Sequence, residues 1–253
     1  MRLSKTDRPR VRLLDGLRGL SLVSMATWHT VFDLVYIFGI SIPWFHQLPS
    51  LLWAQTTCWC FILIAGACLN YGQRTLQRGL MVFGCALMLT LVTYLFMPEL
   101  LIRFGILHMM GCCMLLAALI RPLLKKIPWG IGFAVCALLF VFLYSMPKGA
   151  VGFLGFTFLS LPSELYSTSF LFPIGLPSPR FASGDYFPLI PWIFLFFTGY
   201  FGFRPLKKRK VFAATKPGKN PLEFMGRHSL IIYLLHQPVI LGILLLLQYV
   251  ELL

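Results

Sequence analysis

The stretch LLDGLRGLSLVSMATWHTVFDLVYIF, residues 13–38, decides the fold class of this chain. It is long and apolar enough to cross a bilayer, because a transmembrane helix needs roughly 20 mostly apolar residues. It nevertheless carries four ionisable side chains: Asp15, Arg18, His29 and Asp33. At about 100° per residue these four fall on one stripe of a helix. Ionisable groups in a membrane helix face a protein interior or a water-filled cavity, so the stripe predicts a functional site.

The composition places the whole chain in the same class. Of its 253 residues 58% are hydrophobic and 12% are charged, whereas a soluble domain is about one quarter charged. The mean hydropathy is +0.80. We therefore predict an all-α, polytopic membrane helix bundle that forms a single domain over residues 1–253. We expect it in the inner (plasma) membrane.

Seven apolar segments are predicted to be transmembrane helices. They cover residues 13–38, 51–71, 80–97, 101–120, 128–146, 187–203 and 228–249. Residues 147–186 are too long for a plain connection and too apolar for a free loop. We predict that they form an extracytoplasmic cap between helices 5 and 6.

Basic residues are distributed unevenly along the chain. The N-terminal arm and the segments after the second, fourth and sixth predicted helices hold 18 of the 22 Lys and Arg residues. Because Lys and Arg stay on the cytoplasmic side, this pattern predicts a cytoplasmic N-terminus and an outer C-terminus. It also explains the net charge of +14 without a nucleic-acid partner. The same basic surface would attract anionic ligands or anionic lipid headgroups.

The seven cysteines all fall within predicted helices and indicate no disulfide framework. Cys58 and Cys60 form a C-x-C pair, but no further metal ligands lie near them in the sequence. We expect these thiols to be small packing residues. No metal site is predicted.

His29 and Asp33 are the first candidates for catalysis. They lie four residues apart on the predicted helix 1, so their side chains can meet. A carboxylate that orients a histidine ring and stabilises its charged form is the usual support for a general base. Two other interpretations stay open: a buried polar pair that holds helices together, and a proton relay in a transporter or exporter.

Five stretches carry a resemblance to a known family. LDGLRGL and WHTVFDL, with ten residues between Arg18 and His29, resemble the opening motif of the transmembrane acyltransferase superfamily. The whole chain more closely resembles bacterial relatives of the heparan-alpha-glucosaminide N-acetyltransferase catalytic domain. The further matching stretches are RFGILHMMG at 103–111, DYFPLIPW at 185–192 and MGRHSLIIYLLHQP at 225–238.

The resemblance implies transfer of an acyl group, with acetyl as the first choice. The donor would be acetyl-CoA or another acyl-CoA that enters from the cytoplasm, and the acceptor an amine or hydroxyl of an extracytoplasmic sugar or glycan. His29 would be the general base with Asp33 as its support. The residues expected on the donor side are Asp15, Arg18, His228 and His236, and those expected around the acceptor are Arg103, His108, Asp185 and Tyr186.

Several alternatives remain open at this point. The lysosomal branch of the family places its catalytic histidine after helix 1, near the position of His46, so His46 competes with His29 for the role of base. Arg103 would instead form an ion pair with Asp185 or Glu99 that fastens the cap. His236 would serve helix packing, and His228 would cap a helix.

The reaction course and the assembly are also open. Transfer would be direct or would pass through an acyl-histidine intermediate, and the sequence does not separate the two. A purely structural membrane protein would leave the polar stripe without an explanation. Association into a homo-oligomer is neither indicated nor excluded by the sequence.

Overall fold

The computed structural model describes residues 11–209 and 220–251. Within these ranges nearly all regular structure is helical, and each segment predicted to be a transmembrane helix contains a helix. The helices are α1 Arg12–Tyr36, α2 Leu48–Cys68, α3 Thr75–Phe96, α4 Ile106–Leu119, α5 Arg121–Lys126, α6 Trp129–Leu143, α7 Leu189–Lys208, α8 Pro221–Arg227 and α9 Ser229–Tyr249. Residues 1–10 of the predicted basic arm and residues 210–219 of the predicted basic loop lie outside the described residues.

Five helices in the described ranges are long and apolar enough to cross a membrane. They are α2, α3, the segment Trp129–Lys148 that contains α6, α7 and α9. Helix α1 is not among them because its polar stripe lowers its hydropathy, and α4 has only 14 residues. The chain is therefore a mostly helical protein with five membrane-spanning candidates. The predicted number of seven and the predicted in–out arrangement stay predictions.

The described residues fall into two compact units, whose boundary lies within α2. The first unit contains residues 11–64 and 220–251, and the second contains residues 65–209. The prediction of a single functional domain over the whole chain is not tested by this division.

In the first unit, helix α8 lies close against the beginning of α1. A Cβ atom at Gly19 would lie 1.9 Å from the carbonyl oxygen of Leu222, and one at Gly226 would lie 1.8 Å from the carbonyl oxygen of Asp15. Such distances exclude any side chain at either position, so both glycines are required for the contact. Arg12 and Glu223 join the two helices by an ion pair of 2.9 Å.

Helix α8 was not predicted, although its sequence contains a start signal. Asn220 caps it by accepting a hydrogen bond of 2.9 Å from the backbone nitrogen of Leu222, and Pro221 occupies the first helical position. Both residue types are favoured at these places. The helix has only seven residues, so its apolar pattern is too short to be distinguished from the surrounding basic loop.

In the second unit, α3 packs against α4 and α6 packs against α7. The fully buried side chains include Met109 and Cys113 of α4 with Phe196 and Phe201 of α7. Cys113 is therefore a packing residue, as predicted, whereas Cys60 is exposed; all seven cysteines are free thiols. The unit therefore has its own apolar core.

The segment predicted as a cap contains a short β-hairpin within an otherwise helical fold. Strands β1 Ala150–Phe153 and β2 Phe156–Ser160 pair antiparallel. Leu154 and Gly155 connect them with φ angles of 45° and 98°. Positive φ at both central residues is typical of the tight turn that joins two antiparallel strands. The remainder of 147–186 consists of short 3₁₀ turns and irregular backbone.

Candidate active site

Two histidines from opposite ends of the chain meet in the first unit. His29 of α1 and His236 of α9 have ring centroids 4.9 Å apart, with the rings nearly perpendicular. The sequence motifs WHTVFD and HQP are thus parts of one site. His29 also contacts the ring of Trp28 at 5.2 Å. It makes no hydrogen bond to any residue in the described part of the chain, which leaves both of its ring nitrogens available.

The hydrogen bonds of His236 determine which of its nitrogens carries the proton. Its Nδ1 bonds to the backbone carbonyl oxygen of Tyr233. A carbonyl only accepts, so Nδ1 is the protonated nitrogen and Nε2 carries the free lone pair. That Nε2 atom is buried and has no hydrogen-bond partner among the residues that the structure describes. His236 therefore offers an unused acceptor beside His29.

Asp33 is fully buried and is held by a residue that the sequence analysis missed. The side-chain nitrogen of Gln237 donates to both carboxylate oxygens of Asp33, at 2.8 and 3.0 Å. No hydrogen bond joins Asp33 to His29 among the described residues. The carboxylate thus contacts the residue next to His236 and does not orient His29 directly, as the predicted pair required.

The same contact fixes the orientation of the Gln237 amide. Because an ionised carboxylate cannot donate a hydrogen bond, the NH₂ group of Gln237 must face Asp33. Its Oε1 atom is then turned away, and it is buried without a hydrogen-bond partner in the described part of the chain. In the sequence, only the position of Gln237 next to His236 in HQP indicated a functional role. A single glutamine in an apolar helix forms no spacing pattern from which its partner could be predicted.

The site as a whole contains hydrogen-bond acceptor atoms that receive no hydrogen bond from the described residues. A buried polar atom without a partner loses about 1–3 kcal/mol relative to one that is hydrogen-bonded. His236 Nε2 and Gln237 Oε1 are two such atoms, and His29 adds an imidazole that can take up a proton. The arrangement suits a bound group that donates hydrogen bonds and then loses a proton, such as an amine or a hydroxyl.

Asp15 and Arg18 lie at the other end of α1. They form an ion pair of 3.6 Å across one helical turn, and Asp15 is buried where α8 packs. The two charges thus have a structural use, and their predicted role in donor binding stays a prediction. His228 likewise bonds through Nδ1 to the carbonyl oxygen of Phe224 at 2.9 Å, as expected for a residue that caps a helix.

His46, the competing histidine, is exposed in the turn before α2. Its Nδ1 lies 3.4 Å from the hydroxyl of Tyr36. It borders an open cavity of about 510 Å³. The side chains that line this cavity are mainly aromatic and polar, and they include Trp28, Phe32, Tyr36, Phe45, His46, Gln47 and Ser50.

The four residues predicted around the acceptor all lie in the second unit, where each has a structural contact. His108 accepts a hydrogen bond from the backbone of Gly105 at 3.2 Å and also bonds to Thr90. Asp185 accepts from the backbone nitrogen of Ile106 at 2.9 Å. These bonds satisfy the first turn of α4. The predicted roles in acceptor binding stay predictions.

The other two of the four attach the irregular segment 147–186. Tyr186 donates to the carbonyl oxygen of Phe172 at 2.7 Å. The guanidinium of Arg103 lies 5.7 Å from the ring centre of Phe181. No ion pair joins Arg103 to Asp185 or to Glu99 within the described ranges, so the segment is fastened by hydrogen bonds and a cation–π contact instead.

Burial changes the acidity of two of these groups. It raises the pKa of Asp185 to about 6, although the hydrogen bond from Ile106 acts in the opposite direction. Burial also raises the pKa of the Tyr186 phenol. Asp185 therefore titrates at mildly acidic pH.

Among residues 11–209 and 220–251, no three His, Cys, Asp or Glu side chains are grouped as a metal ion would require. The site described above consists of imidazole, amide and carboxylate groups only.

Comparison with known proteins identifies the family. No curated protein and no solved structure matches the chain. Residues 10–238 match the family described as heparan-alpha-glucosaminide N-acetyltransferase, catalytic. The match includes both motifs that form the histidine pair, and it confirms the resemblance seen in the sequence. This chain therefore belongs to the heparan-alpha-glucosaminide N-acetyltransferase catalytic family, which indicates a membrane acetyltransferase.

Proposed function

We propose that the protein transfers an acetyl group from acetyl-CoA, or an acyl group from another acyl-CoA, to an amine or hydroxyl of an extracytoplasmic sugar or glycan. The observation that carries the proposal is the pairing of His29 and His236, at 4.9 Å, beside two buried acceptor atoms without partners. These are the groups needed to bind and deprotonate an N–H or O–H nucleophile.

The proposed step is a direct transfer at the histidine pair. The acceptor nitrogen or oxygen forms a bond to the acyl carbon, and the bond between that carbon and sulfur breaks. His29 takes the proton that the acceptor loses and returns it to the sulfur of the departing CoA. The reaction then leaves a thiol, an acylated acceptor and a neutral histidine, so atoms and charges balance.

His236 and Gln237 are proposed to position the acceptor. His236 Nε2 and Gln237 Oε1 would accept hydrogen bonds from the amine or hydroxyl and so direct its lone pair toward the acyl carbon. Asp33 acts through Gln237, because its carboxylate holds the amide with Oε1 free. In this scheme Asp33 is a positioning residue, and its partner is the amide instead of the imidazole.

The aromatic cavity beside His46 supports a sugar as the acceptor. Cavities of about 300–1,000 Å³ with apolar and aromatic walls and a few polar groups are typical of small-molecule sites. This one has a volume of about 510 Å³ and contains Trp28, which also contacts His29. We propose that the acceptor sugar lies there, with His46 at its rim as a binding group.

Removal of the imidazole of His29 tests the proposal. Loss of a general base lowers turnover by about 10²–10⁴-fold, so we expect a decrease of this size in His29→Ala. Thr27→Ala is the matched control, because Thr27 lies on the same helix, is exposed and bonds only to the carbonyl oxygen of Val23. The measurement is the transfer of labelled acetyl groups to amino-sugar acceptors by purified protein.

A further inference from the structure

A recess at one end of the second unit is surrounded by positive charges. It has a volume of about 370 Å³. Three of its walls come from the end of α2, the beginning of α5 and the end of α7. The basic residues that line it are Arg121, Lys125, Arg204, Lys207 and Lys208, and none of its lining residues is acidic.

The sequence shows why no carboxylate neutralises these charges. Between residues 65 and 209 the acidic residues are Glu99, Glu164 and Asp185. Glu99 follows the end of α3, whereas the recess contains Thr75 at the beginning of that helix. Asp185 precedes α7, whereas the recess lies at its end. Glu99 and Asp185 are thus one helix length away from the recess, and Glu164 does not line it.

Some of the basic residues have structural partners, and these explain part of the cluster. Arg204 donates to the carbonyl oxygens of Lys125 at 2.6 Å and of Ile127 at 2.8 Å. Lys207 donates to the carbonyl oxygen of Asn70. Arg204 therefore connects α7 to the end of α5 and the residue that follows it, and this structural role explains its presence without a ligand.

Two lysines at the recess make no structural contact of this kind. The ammonium groups of Lys125 and Lys208 line the recess and have no hydrogen-bond or ion-pair partner among the residues that the structure describes. The tendency of lysine to stay on the cytoplasmic side explains why basic residues occur at this end. It does not explain why five of them surround one recess with a buried polar floor, formed by Asn70 and Thr75.

We propose that this recess binds a phosphate or diphosphate group. Groups of like charge repel each other unless an anion lies between them, and Lys and Arg are the residues that bind phosphate oxygens. The volume is larger than a single phosphate ion needs, so the phosphate would be part of a larger molecule. Lys125, Lys208 and Arg121 would bind its oxygens, while Arg204 holds the recess open.

Two sources offer this chemistry: a free nucleotide-type phosphate such as that of CoA, and the headgroup of an anionic lipid. The first source rests on the proposed function, and the second does not. The site itself requires neither an active histidine pair nor turnover. Its test therefore measures binding alone, and a failed transfer assay would leave the result intact.

The experiment compares two double variants of the full-length protein in neutral detergent. Lys125→Gln/Lys208→Gln removes the two lysines without partners. Lys126→Gln/Arg209→Gln removes the same number of charges from the next positions, which are exposed and do not line the recess. Melting temperatures without ligand verify that both variants fold.

Binding is measured by calorimetry with CoA, 3′-dephospho-CoA and phosphatidylglycerol, and phosphatidylcholine serves as the neutral lipid. We expect Lys125→Gln/Lys208→Gln to weaken binding of one probe by about tenfold or more, because each substitution removes a charge-assisted hydrogen bond to the phosphate. The control variant should retain the affinity of the wild type. The affinity of the wild type should fall with added salt, and the first double variant should show a smaller dependence.

The probe that is affected identifies the source. Binding of CoA that phosphatidylglycerol does not displace supports the free phosphate, and binding of phosphatidylglycerol alone supports the lipid headgroup. If every probe has the same affinity for both double variants, the recess is not a phosphate site and the proposal is overturned.

Discussion

At the scale of single residues, the hydrogen bonds between Asp33 and Gln237 determine which atom of the amide is available to a bound acceptor. Asp33 is the fully buried carboxylate of α1, and its two hydrogen bonds leave one defined atom of Gln237 free. The free oxygen exists only because the carboxylate forces the amide to present its nitrogen. Substitutions of Asp33 can therefore distinguish a role in orienting the Gln237 amide from a purely structural role.

Asp33→Asn should lower kcat by about tenfold or more while the melting temperature changes little. An asparagine amide can pair with Gln237 in either orientation, so the hydrogen bond survives but Oε1 is no longer kept free. Asp33→Leu should lower both kcat and the melting temperature, because Gln237 then loses its partner. Steady-state kinetics and thermal unfolding measure the two effects. Equal activity in Asp33→Asn and the wild type would show that the orientation of the amide is irrelevant.

Asp185 allows a prediction about stability and pH. Its pKa is raised to about 6 in the folded protein, against 3.8 for the ordinary value. The folded state therefore binds more protons than the unfolded state between these two values, and stability falls as pH rises from about 4 to about 6. Above that range the effect on stability is constant.

Asp185→Asn should remove this part of the pH dependence and leave the melting temperature nearly level across the window. The asparagine oxygen can still accept from the backbone nitrogen of Ile106, so α4 keeps its first-turn hydrogen bond. Thermal unfolding at pH 4, 5, 6 and 7 is the measurement. If the wild type becomes more stable between pH 4 and pH 6 relative to Asp185→Asn, the assigned direction of the pKa shift is wrong.

At the scale of elements, the contact between α1 and α8 explains the glycines of the opening motif. Gly16 and Gly19 both lie in α1, but only Gly19 meets the backbone of α8. A Cβ at Gly16 would have its nearest neighbour at 4.0 Å, in the flexible side chain of Glu223. The two positions therefore form a natural pair for comparison.

Gly19→Ala should destabilise the protein, because the new methyl group would lie 1.9 Å from the carbonyl oxygen of Leu222 and would push α8 away. Gly16→Ala should be neutral or stabilising by up to about 1 kcal/mol, since alanine is the better helix former. Melting temperatures of the two variants measure the difference. A loss of the same size at both positions would argue against the close contact.

The elements also show what the sequence could predict. The length of the apolar segments correctly predicted a helix at each of the seven places. This was possible because an apolar span is a property of consecutive residues and does not depend on distant parts of the chain. The β-hairpin at 150–160 was missed, since its signal is the two-residue turn Leu154–Gly155 and leucine is unusual there. Helix α8 was missed because seven residues carry too little periodicity.

The candidate site was predictable only in part, for a similar reason. The resemblance implied His29 as the base and His236 on the donor side or in helix packing, and their direct contact became visible only in the packing of α1 against α9. The partner of Asp33 could not be found by spacing, because Gln237 lies 204 residues away in the chain. The spacing of four residues favoured His29 as the partner of Asp33. In the folded chain the partner of Asp33 is instead the side-chain amide of Gln237.

At the scale of the whole molecule, the charge distribution makes the predicted arrangement in the membrane testable. Fusions of alkaline phosphatase within residues 147–186 and after residue 253 should be active, because both points are predicted to be extracytoplasmic. Fusions of green fluorescent protein after Lys126 and after Arg209 should fluoresce, since both follow segments rich in Lys and Arg. Fluorescence of a fusion at residue 253 would contradict seven spans with a cytoplasmic N-terminus.

The most direct test of the account compares His29→Ala with His46→Ala in one assay of acetyl transfer from labelled acetyl-CoA. If the pair of His29 and His236 performs the chemistry, His29→Ala loses about 10²-fold or more in kcat, whereas His46→Ala changes mainly KM for the acceptor. Binding of CoA, followed by thermal shift, should be retained in both. Unchanged turnover in His29→Ala, with activity abolished in His46→Ala, would contradict the account and assign the reaction to the loop histidine.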